Sequence, residues 1–310
     1  MKTRVITGTV FTAVILLFMI PAFKLPWLPL ILFTAVALLT TLELQQAISR
    51  RYAEPSLVVM ELGALLYLVP VIIWRLYQNL RPGWRLLSKS QLPLDGYWQT
   101  DLMWLVGLSL TLFMLAALAW FLLSSLFTML HRGPDSLPLA LAENLSTFYI
   151  AFPLAMVPIY LFAVPQGYLW LFVAVFSPWI SDVCCYFAGR FWGHTHILPQ
   201  ISPQKTLEGV IGGLLGTTLL GGLFFMIFMT GEAPLKAGRG TNFLFGMLAG
   251  LLLSLFAQFG DWFASAIKRY VKIKDFSHIL PGHGGILDRF DSVLFTLPAG
   301  IILTLCYYLS

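Results

Sequence analysis

The feature that most constrains this chain is a series of long apolar stretches separated by short polar connections. A helix needs roughly 20 apolar residues to cross a bilayer. Only 11% of the 310 residues are charged, against about 25% in soluble domains, so a soluble fold is excluded. The pattern predicts an all-α, polytopic membrane bundle of about nine transmembrane helices, near residues 5–23, 26–48, 56–76, 102–130, 145–164, 167–184, 208–230, 241–267 and 289–308.

These stretches form one integral membrane unit, which we divide into N-terminal helices over 1–165 and a C-terminal catalytic region over 166–310. Lys and Arg favour a cytoplasmic N-terminus, although a basic segment at 75–89 would then lie on the opposite side. Its apolar and aromatic residues predict a helix lying in the membrane interface. The net charge of +5 suits anionic membrane lipids and topology rather than nucleic acid.

Two details of the apolar stretches are informative. Pro178 and Asp182 predict that the stretch at 167–184 breaks before its end. Gly212 and Gly216 have GxxxG spacing, as do Gly246 and Gly250, and such spacing lets helix backbones approach closely. The glycines predict either packing within one bundle or a homodimer interface.

The scarce charge gathers in two connections that leave the membrane on the same side in this orientation. Asp261 lies near the end of the eighth stretch, where an acid is a functional candidate. Asp288 and Asp291 are three residues apart and share a helix face. Oxygen ligands of this kind suit Mg²⁺. The alternative roles are a helix cap for Asp288 and a salt bridge for Asp291.

Two short segments can contact phosphate. In "PGHGG" (281–285) the amides of Gly284 and Gly285, just before a helix near Ile286, can receive phosphate oxygens, with His283 as a further donor. In "SPQKT" (202–206) a turn carries a lysine and two hydroxyls, unless Thr206 simply caps the next helix. Neither segment matches a P-loop or a dinucleotide fingerprint.

The stretch "SAIKRYVKIKDFSHILPGHGGILDRFD" (265–291) resembles the signature of phosphatidate cytidylyltransferases (CDP-diacylglycerol synthases) at every fixed position. "SPQKTLEGVIGG" (202–213) is similar to a second family segment, with Gln204 replacing the usual lysine. "SDVCCYFAGRFWG" (181–193) is similar to a third, with Cys185 replacing alanine. The resemblance covers roughly residues 170–305, whereas the first half of the chain matches only as membrane spans.

The resemblance implies that CTP and phosphatidic acid yield CDP-diacylglycerol and pyrophosphate, with Mg²⁺ alone or with a second cation. The implied catalytic residues are Asp261, Lys268, Asp288, Arg289 and Asp291, the three acids also being the metal ligands. The implied substrate-binding residues are Asp182, Ser202, Lys205, Thr206, Arg269, His283, Gly284 and Gly285. His283 is a phosphate or loop contact rather than a base, since the lipid phosphate is already ionised. The expected location is a bacterial inner or plasma membrane, with the site on the cytoplasmic side.

Two other functions compete with this one. A CTP-dependent transferase or kinase acting on another lipid, of isoprenoid or archaeal type, would use similar charges. A transporter would spread its ionisable residues through several spans near the midplane, whereas here they gather at helix ends.

Overall fold

The computed structural model describes residues 2–52, 54–80, 98–229 and 238–309. Within these ranges nine helical segments are long and apolar enough to cross a membrane, which confirms the predicted all-α membrane protein. They are Ile6–Phe23, Trp27–Ile48, Leu57–Asn79, Leu102–Arg132, Pro134–Phe162, Gly167–Trp192, Leu207–Phe228, Arg239–Tyr270 and Leu287–Leu309.

The α-helices within these segments are numbered in chain order. They are α1 (Lys2–Met19), α2 (Trp27–Ile48), α3 (Leu57–Ala64), α4 (Val69–Leu80), α5 (Trp98–Arg132), α6 (Leu137–Leu154), α7 (Met156–Phe162), α8 (Gly167–Trp192), α9 (Leu207–Phe228), α10 (Arg239–Tyr270) and α11 (Leu287–Leu309). Short 3₁₀ turns cover Ile20–Phe23, Leu65–Leu68 and Pro134–Ser136. Of the interfacial helix predicted over 75–89, the structure describes only the part up to Leu80, where α4 ends. The rest lies outside the described residues.

The described residues divide into two compact units. The first unit comprises the described residues within Met1–Leu86, Asp101–Tyr168 and Lys268–Phe290, and the second comprises those within Leu87–Thr100, Leu169–Ile267 and Asp291–Ser310. The first unit therefore contains the connection between α10 and α11 together with the N-terminal helices. The division at 165/166 that the sequence suggested stays a prediction.

Each unit has its own aromatic core. In the first, the rings of Trp74 and Phe162 stack with centroids 4.3 Å apart. In the second, Trp170 meets Phe225 and Tyr307 edge to face, with centroid distances of 5.1 and 5.5 Å. Burial of such rings supplies both apolar area and a preferred geometry.

The predicted break in the sixth span is wrong, because α8 continues through Pro178 to Trp192. Proline lacks the N–H that would bond the carbonyl of Ala174 one turn earlier. The hydroxyl of Thr296 on α11 donates to that carbonyl at 2.6 Å instead. Satisfying the orphaned carbonyl from a neighbouring helix keeps a proline-containing membrane helix intact.

Replacing Thr296 by valine is expected to lower the free energy of unfolding by about 1 to 3 kcal/mol, since a buried carbonyl would lose its donor. Thr304→Val is the matched control on the same helix. Its hydroxyl donates to the Gly300 carbonyl, which the helix already pairs through the residue-304 amide. Thermal unfolding of the detergent-solubilised protein measures the difference, and equal midpoints for the two variants would contradict this role of Thr296.

The glycines of α9 and α10 are used for packing inside the second unit. A Cβ on Gly221 would lie 2.6 Å from the carbonyl oxygen of Gly246 and 3.0 Å from the Cα of Gly250. A Cβ on Gly212 would collide with Ala188 of α8. Close helix contact of this kind is what GxxxG spacing permits, so packing within the bundle is confirmed and the homodimer stays a prediction.

The connection between α8 and α9 is more ordered than the predicted turn. It contains a two-stranded antiparallel hairpin of β1 (His196–Leu198) and β2 (Ser202–Thr206). Thr206 then caps α9 by accepting a hydrogen bond from the Gly209 amide at 3.2 Å, as its alternative role predicted. The hairpin leads directly into the capped helix, so β2 holds its side chains on a fixed backbone.

Candidate active site

In the first unit, the side chain of Asp288 accepts hydrogen bonds from both ends of the connection between α10 and α11. Its Oδ1 accepts from the Lys268 ammonium at 2.8 Å, and its Oδ2 accepts from the amides of Phe276 and Gly285 at 2.9 Å each. Only 5% of the Asp288 side chain and 12% of the Lys268 side chain are exposed. A buried ion pair survives when further hydrogen bonds satisfy its atoms, and here those bonds also tie both ends of the connection together.

The "PGHGG" turn is shaped by its glycines and clamped by Arg289. Gly282 and Gly284 have φ of 78° and 83°, a region that glycine adopts without strain. The guanidinium of Arg289 donates two hydrogen bonds to the His283 carbonyl, at 3.0 and 2.7 Å. Because the Gly285 amide donates to Asp288, it is engaged within the turn, and the predicted phosphate contacts of His283, Gly284 and Gly285 stay predictions.

A glutamate from the N-terminal half completes this region, and the sequence reasoning missed it. Glu43 of α2 is fully buried and accepts from the amides of Ile286 and Leu287 at 2.8 and 2.6 Å. The Ser277 hydroxyl donates to the same carboxylate at 2.5 Å. An acid inside an apolar span was the signal that singled out Asp261, and applied to the second span it would also have found Glu43.

In the second unit, Lys205 and Asp261 form a salt bridge between β2 and α10. About a quarter of each side chain is exposed, 25% and 26%. The Lys205 ammonium also lies 5.6 Å from the ring centroid of Trp262, and the Ser265 hydroxyl donates to Asp261 at 3.3 Å. The pair is therefore accessible to solvent while both of its members contact neighbours on α10.

Asp291 lies on α11 where this helix contacts α10. Its side chain is buried, and its Oδ1 accepts from the amide and hydroxyl of Ser292 at 2.6 and 3.2 Å. A Cβ on Gly260 would lie 2.8 Å from the Ser292 Cα and 2.9 Å from the Asp291 carbonyl oxygen. Gly260 thus lets the backbones that carry Asp261 and Asp291 come into contact.

The hairpin is anchored by Glu208 in the first turn of α9. Its carboxylate accepts from the backbone amides of His194 and Thr195 at 3.1 and 3.2 Å. The Leu207 amide in turn donates to the Thr195 carbonyl at 2.8 Å. These bonds fix the start of the hairpin against its end, and so they fix where β2 presents Lys205.

The remaining predicted substrate-binding residues lie on three different elements. Asp182 is exposed on α8, Ser202 is half-buried at the start of β2, and Arg269 is exposed in the last turn of α10. Their predicted roles toward nucleotide, lipid phosphate or metal stay predictions.

The carboxylates have the donor chemistry that Mg²⁺ prefers, because each offers only oxygen. Both lone pairs of Asp288 Oδ2 are used by amides, whereas Oδ1 keeps one beside Lys268. Among the described residues no group of three or more His, Cys, Asp or Glu side chains is arranged to hold a metal ion. The residues therefore fit Mg²⁺ by ligand type, and the metal set stays a prediction.

The chain is similar in sequence to known proteins. The sequence model described as the cytidylyltransferase family matches residues 2–307. A phosphatidate cytidylyltransferase of Bacillus subtilis is 40% identical over 132 residues, covering 43% of this chain and 46% of that protein.

Two further relatives carry the same description. One from Aquifex aeolicus is 37% identical over 158 residues, covering 49% of this chain and 54% of the relative. One from Staphylococcus aureus is 41% identical over 135 residues, covering 43% and 48%. The chain spans about half the length of the curated relatives it matches.

Proposed function

Since the chain belongs to the cytidylyltransferase family, we propose that it is a phosphatidate cytidylyltransferase of phospholipid biosynthesis. It would convert CTP and phosphatidic acid into CDP-diacylglycerol and pyrophosphate. The observation that carries the proposal is the pairing of signature lysines with signature aspartates at helix ends, Lys268 with Asp288 and Lys205 with Asp261.

The reaction joins two polyanions. The need to offset their negative charge explains why lysines and arginines gather in the two connections. An oxygen of the lipid phosphate attacks the α-phosphorus of CTP, the new P–O bond forms, and the bond to the β-phosphate oxygen breaks to release pyrophosphate. The nucleophile is already ionised near neutral pH, so no side chain has to remove a proton. Catalysis then depends on positioning and on cations that offset the phosphate charges.

In the first unit, Lys268 is the best-placed cation. Its ammonium donates to Asp288 Oδ1 at 2.8 Å and has further N–H groups for a phosphate oxygen. Asp288 would keep this cation oriented between turnovers. Arg289 clamps the turn through the His283 carbonyl and would bring a second positive charge to this connection, and Arg269 would add a peripheral one.

In the second unit, the partly exposed Lys205 would bind a phosphate of CTP or of the lipid, and Asp261 would hold the lysine in place beforehand. Ser202 and Thr206 flank Lys205 on the same strand, although the Thr206 hydroxyl already caps α9. Asp182 would orient the neighbouring connection or assist the metal.

Mg²⁺, alone or with a second cation, would supply charge neutralisation at the reacting phosphates when bound. Asp261 and Asp291 are the candidate ligands of the second unit, on two helices that touch at Gly260. Asp288 is the third candidate, through the free lone pair of Oδ1.

Two alternatives are less well supported. A CTP-dependent transferase or kinase on an isoprenoid or archaeal lipid would share the lysine–aspartate pairs, but the relatives named above carry the phosphatidate description. A transporter is not favoured, because the paired residues lie near helix ends, with Asp288 in the first turn of α11.

We also propose a bacterial inner or plasma membrane location with the charged connections on the cytoplasmic side, where CTP is available. Nine apolar helices among the described residues and bacterial relatives support a membrane protein. A homodimer remains a further proposal.

The test is a substrate screen with purified full-length protein in lipid nanodiscs. With CTP, Mg²⁺ and phosphatidic acid, we expect stoichiometric release of pyrophosphate and formation of CDP-diacylglycerol, both stopped by EDTA. ATP replacing CTP, and an isoprenoid phosphate replacing phosphatidic acid, are the matched controls. Turnover only with another nucleotide or another lipid would overturn the substrate assignment.

A further inference from the structure

The buried carboxylate of Glu43 is a charged group of the first unit that the proposed reaction does not use. Its three donors are the Ser277 hydroxyl and the amides of Ile286 and Leu287. These amides lie at the start of α11, where helix N–H groups have no intrahelical partner and carry partial positive charge. Glu43 therefore caps α11 from another helix, more than 200 residues away in sequence.

The capped segment is the one that carries Asp288. Gly285 precedes the two amides, and its own amide donates to Asp288 Oδ2. A Cβ on Gly285 would lie only 2.6 Å from Glu43 Oε1, so the glutamate fits closely against the turn. Any shift of the Glu43 carboxylate moves the backbone whose N–H groups hold Asp288.

A purely structural role is the competing explanation, and a second glutamate allows it to be separated. Glu143 of α6 is also buried, and it accepts from the Ser56 amide at 2.6 Å and the Thr128 hydroxyl at 3.3 Å. It lies in the same unit and makes bonds of the same kind. Its partners belong to α5 and the start of α3, and none of them carries a candidate catalytic residue.

We propose that Glu43 is a positioning residue of the enzyme, which holds the 285–287 backbone so that Asp288 and its partner Lys268 keep their orientation. This inference rests on the proposed function for its kinetic consequence. It assigns a role in the chemistry to α2, in the half of the chain that resembles the family only as membrane spans.

The experiment compares Glu43→Gln with Glu143→Gln in the full-length protein. Glutamine can accept from one amide but turns an NH₂ group toward the other, and it removes the negative charge. Hydrogen–deuterium exchange of peptides covering 280–290 should become about tenfold faster or more in E43Q and stay unchanged in E143Q. Exchange near Ser56 should show the opposite pattern.

Kinetics supply the second readout. E43Q is expected to lower kcat for pyrophosphate release by about 100-fold, with a smaller change in KM for CTP, since the misplaced groups act mainly in the transition state. E143Q should keep kcat even where its thermal midpoint falls. Glu43→Asp, which keeps the charge on a shorter side chain, should recover part of kcat.

The outcomes separate the two proposals. Unchanged exchange at 280–290 in E43Q, or equal kcat losses in E43Q and E143Q, would overturn the positioning role while the wild-type protein remains active. A wild-type protein that releases no pyrophosphate from CTP and phosphatidic acid would instead overturn the proposed function.

Discussion

Asp288→Asn is expected to lower the rate of CTP-dependent pyrophosphate release by about 1,000-fold. The variant keeps the shape of the side chain but loses its charge, so Lys268 loses its buried partner. An asparagine that keeps its oxygen toward the amides of Phe276 and Gly285 must turn its NH₂ group toward the lysine ammonium. The predicted metal would also lose one ligand, and under the proposed function both losses would reduce charge neutralisation at the reacting phosphates.

Initial rates at saturating CTP and phosphatidic acid measure this effect, with size-exclusion profiles to verify folding. Asp135→Asn is the control, because Asp135 is an exposed acid in a 3₁₀ turn of the same unit, and it should leave the rate unchanged. Lys268→Met, which removes the cation of the same ion pair, is a second variant whose rate is compared with that of the wild type. If D288N remains as active as the wild type, Asp288 has no place in the reaction.

Gly260→Ala is expected to lower both the stability and the activity of the protein. The new methyl group would lie 2.8 Å from the Ser292 Cα and 2.9 Å from the Asp291 carbonyl oxygen. These are backbone atoms of α11, so no side chain can rotate away and the two helices must separate. We expect the free energy of unfolding to fall by about 1 to 3 kcal/mol and activity to fall about tenfold or more as Asp261 and Asp291 move apart.

Gly107→Ala is the matched control for this prediction. Gly107 is a helical glycine of α5, and a Cβ there would meet nothing within 4 Å. Alanine in that position should stabilise the helix by up to about 1 kcal/mol. Thermal unfolding and pyrophosphate release are measured on both variants. Similar unfolding midpoints for the two would show that the contact between α10 and α11 tolerates a methyl group.

The helices were predictable because a membrane span has a strong sequence signal. Apolar length and scarce charge located all nine segments that the structure has in its described ranges. The boundaries were less accurate. The fifth span begins at Pro134 and the sixth ends at Trp192, because each helix continues past the most apolar stretch that a hydropathy pattern detects. The continuation through Pro178 depends on Thr296, a tertiary contact that local sequence does not encode.

The candidate site was predictable wherever its residues lie close in sequence. Lys268, Asp288 and Arg289 belong to one signature, and their hydrogen bonds stay within it. The partner of Asp261 was not predictable, because Lys205 lies on a hairpin that a short polar connection did not suggest. The partners of Glu43 were not predictable for a related reason, since its donors follow more than 200 residues later.

The separation of Glu43 from its donors has a consequence for synthesis of the protein. The amide of Ile286 is made 243 residues after Glu43, which at typical translation speeds corresponds to roughly 10 to 50 s. Throughout that interval the second span sits in the translocation machinery or the young bilayer with a carboxylate whose final donors do not yet exist. An unpaired acid in lipid is costly, so until those donors are made the carboxylate needs water or another hydrogen-bond donor. A product truncated before Ser277 would lack all three of these donors.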